Sequence, residues 1–424
     1  MFGSSKIRYT LFVALALNLA FMSAQQVRWL GSLPGFSASY ATGVSLDGSV
    51  VSGNLQGWGW NIRACVWIDY QPQLLPTPNG AISVAESISG DGNTVVGYIL
   101  DDNFHAVYWR RQNGSGFQLH FIASNAIATD VSSDGRVIVG KTSDDYAFVW
   151  QNGYYVLFRV YDTTIPTSAT GVSPNGHWVS GNYVVNIENN CGSYNPVARG
   201  FVTSISALAN AIDLPSLGDG IPSGREDCVA SSTSFAVSNT GLVVGASFMG
   251  DNSPSRSTVA TSWFPLRRLG SYMYGDVDVN SYAYDVSADG TVAVGLHNGY
   301  PDIGRAVRWR NGVEENLNSV FLPRPCGSRL EAAISISYDG RYIVGYGWRP
   351  SSNLSTEAYI LDASKPPLIG DLNGDGCIDD ADLLMVLQNF GTYNPDADVN
   401  CDGVIDDSDL LAILSNFGLG CEYQ

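Results

Sequence analysis

Basic residues and histidine are in short supply. Lys and Arg together number 22 against 40 Asp and Glu, and only four histidines occur in 424 residues. His105, His120, His177 and His297 read as lying on separate repeats with no metal-ligand spacing, so the sequence gives no motif for a histidine-built zinc centre. A net charge of −18 argues against nucleic acid as a partner. The apolar run Leu11 to Met22 covers about a dozen residues, too short for a bilayer span, which needs roughly 20. It follows Lys6 and Arg8 and ends at Ser23-Ala24, the layout of a secretory signal. Residues 1–24 are expected to be removed on export, leaving no membrane span and a secreted or cell-surface protein. Strong helix formers are also scarce, while Gly, Ser, Val and Thr abound, which favours a mainly β body with many turns.

The charge is local. From Ser364 onward eleven Asp and one Glu face one Lys, a net −11, and the remainder carries −7. A small acidic module over residues 364–424 therefore follows a large body over 25–363, with Pro366-Pro367 as the linker. Seven cysteines in an exported chain make disulfides available, and an odd count leaves at least one thiol over. Cys191 and Cys228 bracket an insertion and form the natural pair there. Cys65, inside a strand, reads as a buried thiol, and Cys377, Cys401 and Cys421 leave a further bridge open.

The body is repetitive. The segment Tyr282 to Gly295 has echoes at Tyr40 to Gly53, Ala85 to Gly97, Ala128 to Gly140, Ala169 to Gly181, Ser234 to Gly245 and Ala332 to Gly345. The turn glycines Gly48, Gly92, Gly135, Gly176, Gly241, Gly290 and Gly340 are spaced by 44, 43, 41, 65, 49 and 50 residues. Each unit reads as an apolar strand ending in Ser, a tight Asp-Gly or Asn-Gly turn, and a Val-rich return strand ending in Gly. A third strand carries an Ala-aromatic signature, as in Ala106 to Trp109, Ala147 to Trp150 and Ala306 to Trp309, and a weaker fourth follows. Seven such units predict a seven-bladed β-propeller, with an open β-solenoid as the competing architecture. The last unit stops at its third strand, Glu357 to Ile360, so Val27 to Leu33 is expected to supply the missing strand and close the ring.

Leu30 to Gly35, Ala283 to Gly290 and His105-Ala106-Val107 resemble the HAF-type extracellular repeat of secreted bacterial proteins. The resemblance covers most of Val27 to Asp362. It implies an exported repeat protein with no assigned chemistry. The fourth unit departs from it, with Arg199 to Val202 in place of the Ala-aromatic strand.

The acidic module contains two loops that start 27 residues apart. Asp371, Asn373, Asp375, Asp379 and Asp382 fall at loop positions 1, 3, 5, 9 and 12, with Gly376 at position 6. Asp398, Asn400, Asp402, Asp406 and Asp409 repeat the pattern around Gly403. Hard oxygen ligands at this spacing wrap a chain around calcium, with Cys377 and Val404 adding a backbone carbonyl at position 7. Two Ca²⁺ ions are expected, and Ile378 and Ile405 should pack inward. Each loop runs into an amphipathic helix, Leu383 to Phe390 or Leu410 to Phe417, stopped by Gly. No helix precedes the first loop, and Asp rather than Glu stands at position 12.

On these features the module resembles the type I dockerin family, a small all-α calcium-binding domain that binds a cohesin. The resemblance places partner-reading residues at Asp380, Ala381, Asp407 and Ser408 and implies a cohesin-like or cell-surface partner. Asp-Ala and Asp-Ser differ from the Ser-Thr type pairs of cellulosomal members, which points away from an ordinary cellulosomal cohesin. A calcium-stabilised cap with no partner is the competing reading.

No catalytic constellation stands out. Asp47, Asp91, Asp134, Asp289 and Asp339 are accounted for by the turns they make, so the chain reads as a non-enzyme. The alternative is a carbohydrate-active enzyme or binding module for polysaccharide breakdown, in which distant carboxylates converge in the ring and a glycan is the partner. Trp58-Gly59-Trp60 reads as blade-core packing, with stacking on sugar rings as its other use.

Overall fold

A computed structural model describes residues 27–78, 80–111, 116–161, 164–188, 194–217, 231–248, 258–269, 280–298, 304–321, 325–350, 352–364, 368–373 and 375–421. The proposed signal at 1–24, the Cys191–Cys228 pair and the Pro366-Pro367 linker lie outside the described residues. The chain divides into two compact units. One comprises Val27–Pro323 and Ser328–Ser364; the other contains Lys365–Gln424 together with Arg324–Gly327.

The larger unit is a seven-bladed β-propeller of seven four-stranded antiparallel sheets. Six sheets take their strands in sequence order. The seventh pairs Val27–Trp29 with Glu357–Asp362, in register Val27 to Leu361, Arg28 to Ile360 and Trp29 to Tyr359. The N-terminal strand therefore closes the ring and covers an edge that would otherwise expose unpaired backbone.

The turns show why the repeat is written as Ser-x-Asp-Gly. In the first blade the Ser45 hydroxyl donates to Asp47 at 2.7 Å and accepts the Val50 N–H at 3.0 Å, while Asp47 accepts the Ser49 N–H at 3.0 Å. All seven turn glycines have φ between 68° and 81°, the left-handed region that a side chain disfavours.

Past each turn the pairing slips by one residue, at Ala41/Gly43, Ala85/Ser87, Ala128/Asp130, Ala169/Gly171, Ser234/Ala236, Ala283/Asp285 and Ala333/Ser335. Each slip is a β-bulge that leaves one residue of the innermost strand unpaired. The bulge also accounts for the glycine opposite it, which lies inside each return strand rather than ending it, as Gly97 does within Thr94–Leu100. A Cβ on Gly97 would sit 2.0 Å from the Val84 carbonyl oxygen, a contact no side chain survives.

Third strands supply the core. Trp67, Trp109, Trp263, Trp309 and Tyr359 are fully buried between sheets. The Trp109 and Trp263 indoles donate to the Pro76 and Pro215 carbonyls at 2.7 and 2.8 Å. Truncating such a residue to Ala would cost roughly 3–5 kcal/mol. In the fourth blade Phe201 takes the buried aromatic place, so the departure in sequence conserves the packing role. Cys65 is a buried free thiol, as its strand position suggested.

Trp58 and Trp60 depart from expectation. They are 91% and 84% exposed, not packed in a blade core. Gly57 N–H donates to the Asn61 carbonyl and Ile62 N–H to the Trp60 carbonyl, so the loop folds back on itself and holds both indoles out.

The smaller unit holds two helices, Asp380–Asn389 and Asp407–Asn416, around Ile378, Val386, Ala397, Val399, Ile405 and Ile413. Both loop isoleucines are buried as expected. Disulfides Cys377–Cys421 and Cys326–Cys401 span 44 and 75 residues of sequence. The second recruits the short segment around Cys326 into this unit.

Candidate functional site

The two acidic loops repeat one hydrogen-bond pattern. Asp371 Oδ2 accepts the Gly376 N–H at 2.9 Å, and Asp398 Oδ2 accepts the Gly403 N–H at 2.9 Å. Asp382 Oδ1 accepts the N–H groups of Leu372 and Asn373 at 2.7 and 3.1 Å; Asp409 Oδ1 accepts those of Val399 and Asn400 at the same distances. Asn373 and Asn400 donate their side-chain amides to Asp375 and Asp402, both at 2.9 Å. Cys377 and Val404 donate their N–H groups to the same Asp375 and Asp402 carboxylates. Asp379 and Asp406 cap the helices, accepting the N–H groups of Ala381 and Ser408 at 2.8 Å. The capping boxes explain why each helix starts where its loop ends.

The donor set is all oxygen, the type calcium takes. Asp382, Asp398 and Asp409 are buried. Burial holds the Asp382 carboxyl above its ordinary range, and the neighbouring Asp375 charge adds to it. Residues 368–421 contain eleven Asp and no Lys, Arg or His, so no side chain of that stretch can neutralise them. A divalent cation fits that deficit. Among the described residues, however, no group of three or more His, Cys, Asp and Glu side chains stands close enough to hold a metal, the loop carboxylates being turned to their own backbone N–H groups.

Asp380, Ala381, Asp407 and Ser408 are exposed on the first helical turns. Leu384 and Leu387, four and seven residues beyond Asp380, are about half exposed, as are Leu411 and Leu414 beyond Asp407. Residues at this spacing share one helix face. The amphipathic pattern expected over Leu383 to Phe390 and Leu410 to Phe417 did not single out these outward leucines. Their signal is the Leu383-Leu384 and Leu410-Leu411 doublets, since adjacent helical residues cannot both face the core.

A second site lies in the propeller. The seven bulge residues Thr42, Glu86, Thr129, Thr170, Phe235, Tyr284 and Ile334, one from each blade, line a cavity of about 300 Å³. Tyr338, from the last turn, reaches across the ring and donates its hydroxyl to the Val131 carbonyl at 3.0 Å. Its ring lies where a Cβ on Gly90 would be, at 2.8 Å.

Two half-buried carboxyls stand in the wall. Asp130 accepts the Ser87 hydroxyl and the Val131 and Val172 N–H groups at 2.7–2.8 Å, bridging three blades. Asp285 accepts the Ser335 hydroxyl and the Val286 and Ile336 N–H groups at 2.7–2.9 Å. Burial raises their pKa values to about 7 and about 6 against the opposing pull of these donors, and the Asp285 charge adds to the rise at Asp130. Burial also raises Glu86, partly offset by Lys141.

No protein-family model matches this chain, and no curated protein matches it.

Proposed function

We propose that this is an exported, non-catalytic β-propeller whose C-terminal module binds two calcium ions and docks the protein to a cohesin-like or cell-surface partner. The observation that carries the reading is the residue-by-residue duplication of two oxygen-rich loops, each opening a helix with an outward apolar face. The seven-bladed fold, a rigid ring of loops, suits an interaction role. The two disulfides accord with an oxidising compartment. No described helix is long and apolar enough to cross a membrane.

In this reading Asp371, Asn373, Asp375, Asp379 and Asp382 with the Cys377 carbonyl hold one ion. Asp398, Asn400, Asp402, Asp406 and Asp409 with the Val404 carbonyl hold the other. Calcium neutralises the crowded carboxylates and favours the folded loops by mass action, about 2.7 kcal/mol at a hundredfold excess over Kd. Chelation should abolish the helical dichroism of the tail and capture of the envelope partner, leaving the propeller melting transition in place. Asp371→Ala with Asp382→Ala should remove one of two ions in a calorimetric titration. Helicity and capture unchanged in excess chelator would refute the reading.

The exposed Trp58 and Trp60 favour a second reading, a glycan stacking on the propeller loop. Trp58→Ala with Trp60→Ala should then abolish retardation in polysaccharide-containing gels.

A further inference from the structure

The junction between the second and third blades gathers arginines at its turn end, on a chain that is otherwise acidic. Arg110 and Arg111 close the third strand of the second blade, Arg110 in register with Thr94. The Arg110 guanidinium crosses to the next blade, donating from Nη2 to the Gly135 carbonyl at 2.6 Å and from Nε to the Thr94 hydroxyl at 3.3 Å. It also lies over the Tyr108 ring, 5.2 Å from the centroid. These contacts fix a half-buried fork and leave its other N–H groups open. Arg111, also half-buried, has no side-chain partner among the described residues. Arg136, just past the third-blade turn, is exposed, with its Nε 3.7 Å from Asp134, beyond hydrogen-bond reach. The three line an open pocket of about 470 Å³.

The junction between the sixth and seventh blades shows the same positions with their charge taken up. Arg310, in register with Val292, and Arg341 stand there, with Asn311 in place of Arg111. Asp362 clamps Arg341, accepting from Nε and Nη2 at 3.2 and 2.8 Å. Among the described residues no carboxylate does this for Arg110 or Arg111. The acidic residues of their pocket, Asp91 and Asp134, turn Oδ1 into their own turns. Asp91 accepts the Ser89 hydroxyl and the Asn93 N–H, and Asp134 the Ser132 hydroxyl and the Arg136 N–H. Oδ2 of each accepts no hydrogen bond among the described residues. The pocket therefore offers guanidinium forks for an oxyanion, with carboxylate oxygens and the Asn93 amide beside them for hydroxyl groups. A bare sulfate or phosphate would meet the two carboxylates as like charges. A neutral sugar would leave the forks without an oxyanion.

We propose that this inter-blade pocket binds an acidic sugar, its carboxylate on Arg111 and Arg136 with Arg110 as the fixed third donor, and its ring hydroxyls on Asn93, Asp91 and Asp134. Exposed charges are screened by salt, so binding weakens as ionic strength rises. The site is independent of calcium docking. It is also separate from stacking on Trp58 and Trp60, which follow the opposite end of the strand Val50–Gln56, so each reading can fail alone.

The test is isothermal titration of the full chain with trigalacturonate at low ionic strength, with calcium matched in cell and syringe so that the tail contributes no heat. The comparison ligands are maltotriose, a neutral sugar of the same length, and inorganic sulfate. Saturable one-to-one binding of trigalacturonate is expected, with sulfate roughly tenfold weaker or more and maltotriose giving none. Arg111→Gln with Arg136→Gln removes charge from two side chains that make no hydrogen bond among the described residues. The double variant should bind roughly tenfold more weakly or worse at an unchanged melting temperature, since exposed ion contacts add little to stability. Arg310→Gln, at the other junction, should bind as the wild type does. The proposal is overturned if trigalacturonate gives no saturable heat, if maltotriose or sulfate binds as tightly, if the double variant binds as the wild type does, or if Arg310→Gln loses as much as the double variant.

Discussion

Both regions of this protein are built by repetition, yet repetition stabilises them by different physics. The propeller repeats a sheet, and each copy buries apolar faces against its neighbours, with aromatic side chains such as Trp109 and Trp309 filling the gaps. The tail repeats a loop, and each copy gathers carboxylates around backbone N–H groups above a core of only six fully buried side chains. A large region can rely on apolar area; a small one needs staples. The tail accordingly carries both disulfides found among the described residues. The difference predicts which insult each region tolerates.

The sharpest way to separate them is to open the ring. Deleting Val27 to Leu33 removes the strand paired to Glu357–Asp362 and strips Val27 and Leu30 from two core clusters. A closed sheet loses an edge and packing together, so the propeller transition should fall by roughly 10 °C or more. The calcium response of the tail should remain. A deletion variant that melts with the wild type would mean that closure contributes nothing, and the contrast drawn here would fail.

The converse insult is to the staples. Replacing Cys377 and Cys421 by Ser opens a link over 44 residues. In the chain-entropy account such a loop is worth at most about 4 kcal/mol. That is a large share of the stability of so small a unit, and very little of the ring's. Tail helicity should then demand far more calcium for half-saturation, with the propeller transition unmoved. Equal losses in both regions would show that they do not unfold separately.

The two regions also differ in how much the sequence disclosed. Turns and strands of the propeller are local events. Gly48 must accept a positive φ and Asp47 must close the turn, so both are visible in any one repeat. Ring closure was visible as well, because the last repeat lacked a fourth strand and the N-terminus offered one. The loop isoleucines followed from the calcium-loop register. Whatever depends on several blades at once stayed hidden. The cavity lining reads Thr, Glu, Thr, Thr, Phe, Tyr and Ile, with no common residue type, because the bulge fixes the position and leaves the side chain free. Trp58 and Trp60 were misplaced because aromatic residues in a β protein are usually core, and only the fold-back of the loop turns them outward. Cys326 gave no signal at all, as its partner lies 75 residues away in the other compositional region.

A smaller effect concerns charge, and it probes the two half-buried carboxyls of the propeller wall. Asp130 has a pKa raised from 3.8 to about 7, with burial the main cause; Asp285 faces it as a like charge, and the Tyr338 phenol lies close enough to feel both. A carboxyl whose folded pKa exceeds its unfolded value holds an extra proton in the folded state between the two. Stability is therefore full below about pH 4 and falls as pH rises toward 7, where the folded carboxyl ionises at a cost. For Asp130 alone the shift, with the opposing effect of its three donors already included, corresponds to at most roughly 4 kcal/mol. Asp285, with a folded value of about 6, adds a slope of the same sign over a narrower window. Asp130→Asn should lower stability at every pH, since the amide cannot accept both the Ser87 and Val172 donors. It should also flatten the decline between pH 5 and 7, estimated as the main window from the shift itself. Chemical denaturation of the propeller across that range, read by tryptophan fluorescence, measures the slope separately from the level. A variant that keeps the wild-type slope would place the linked proton elsewhere, and a wild type whose stability rises with pH would mean that the donors outweigh burial at Asp130.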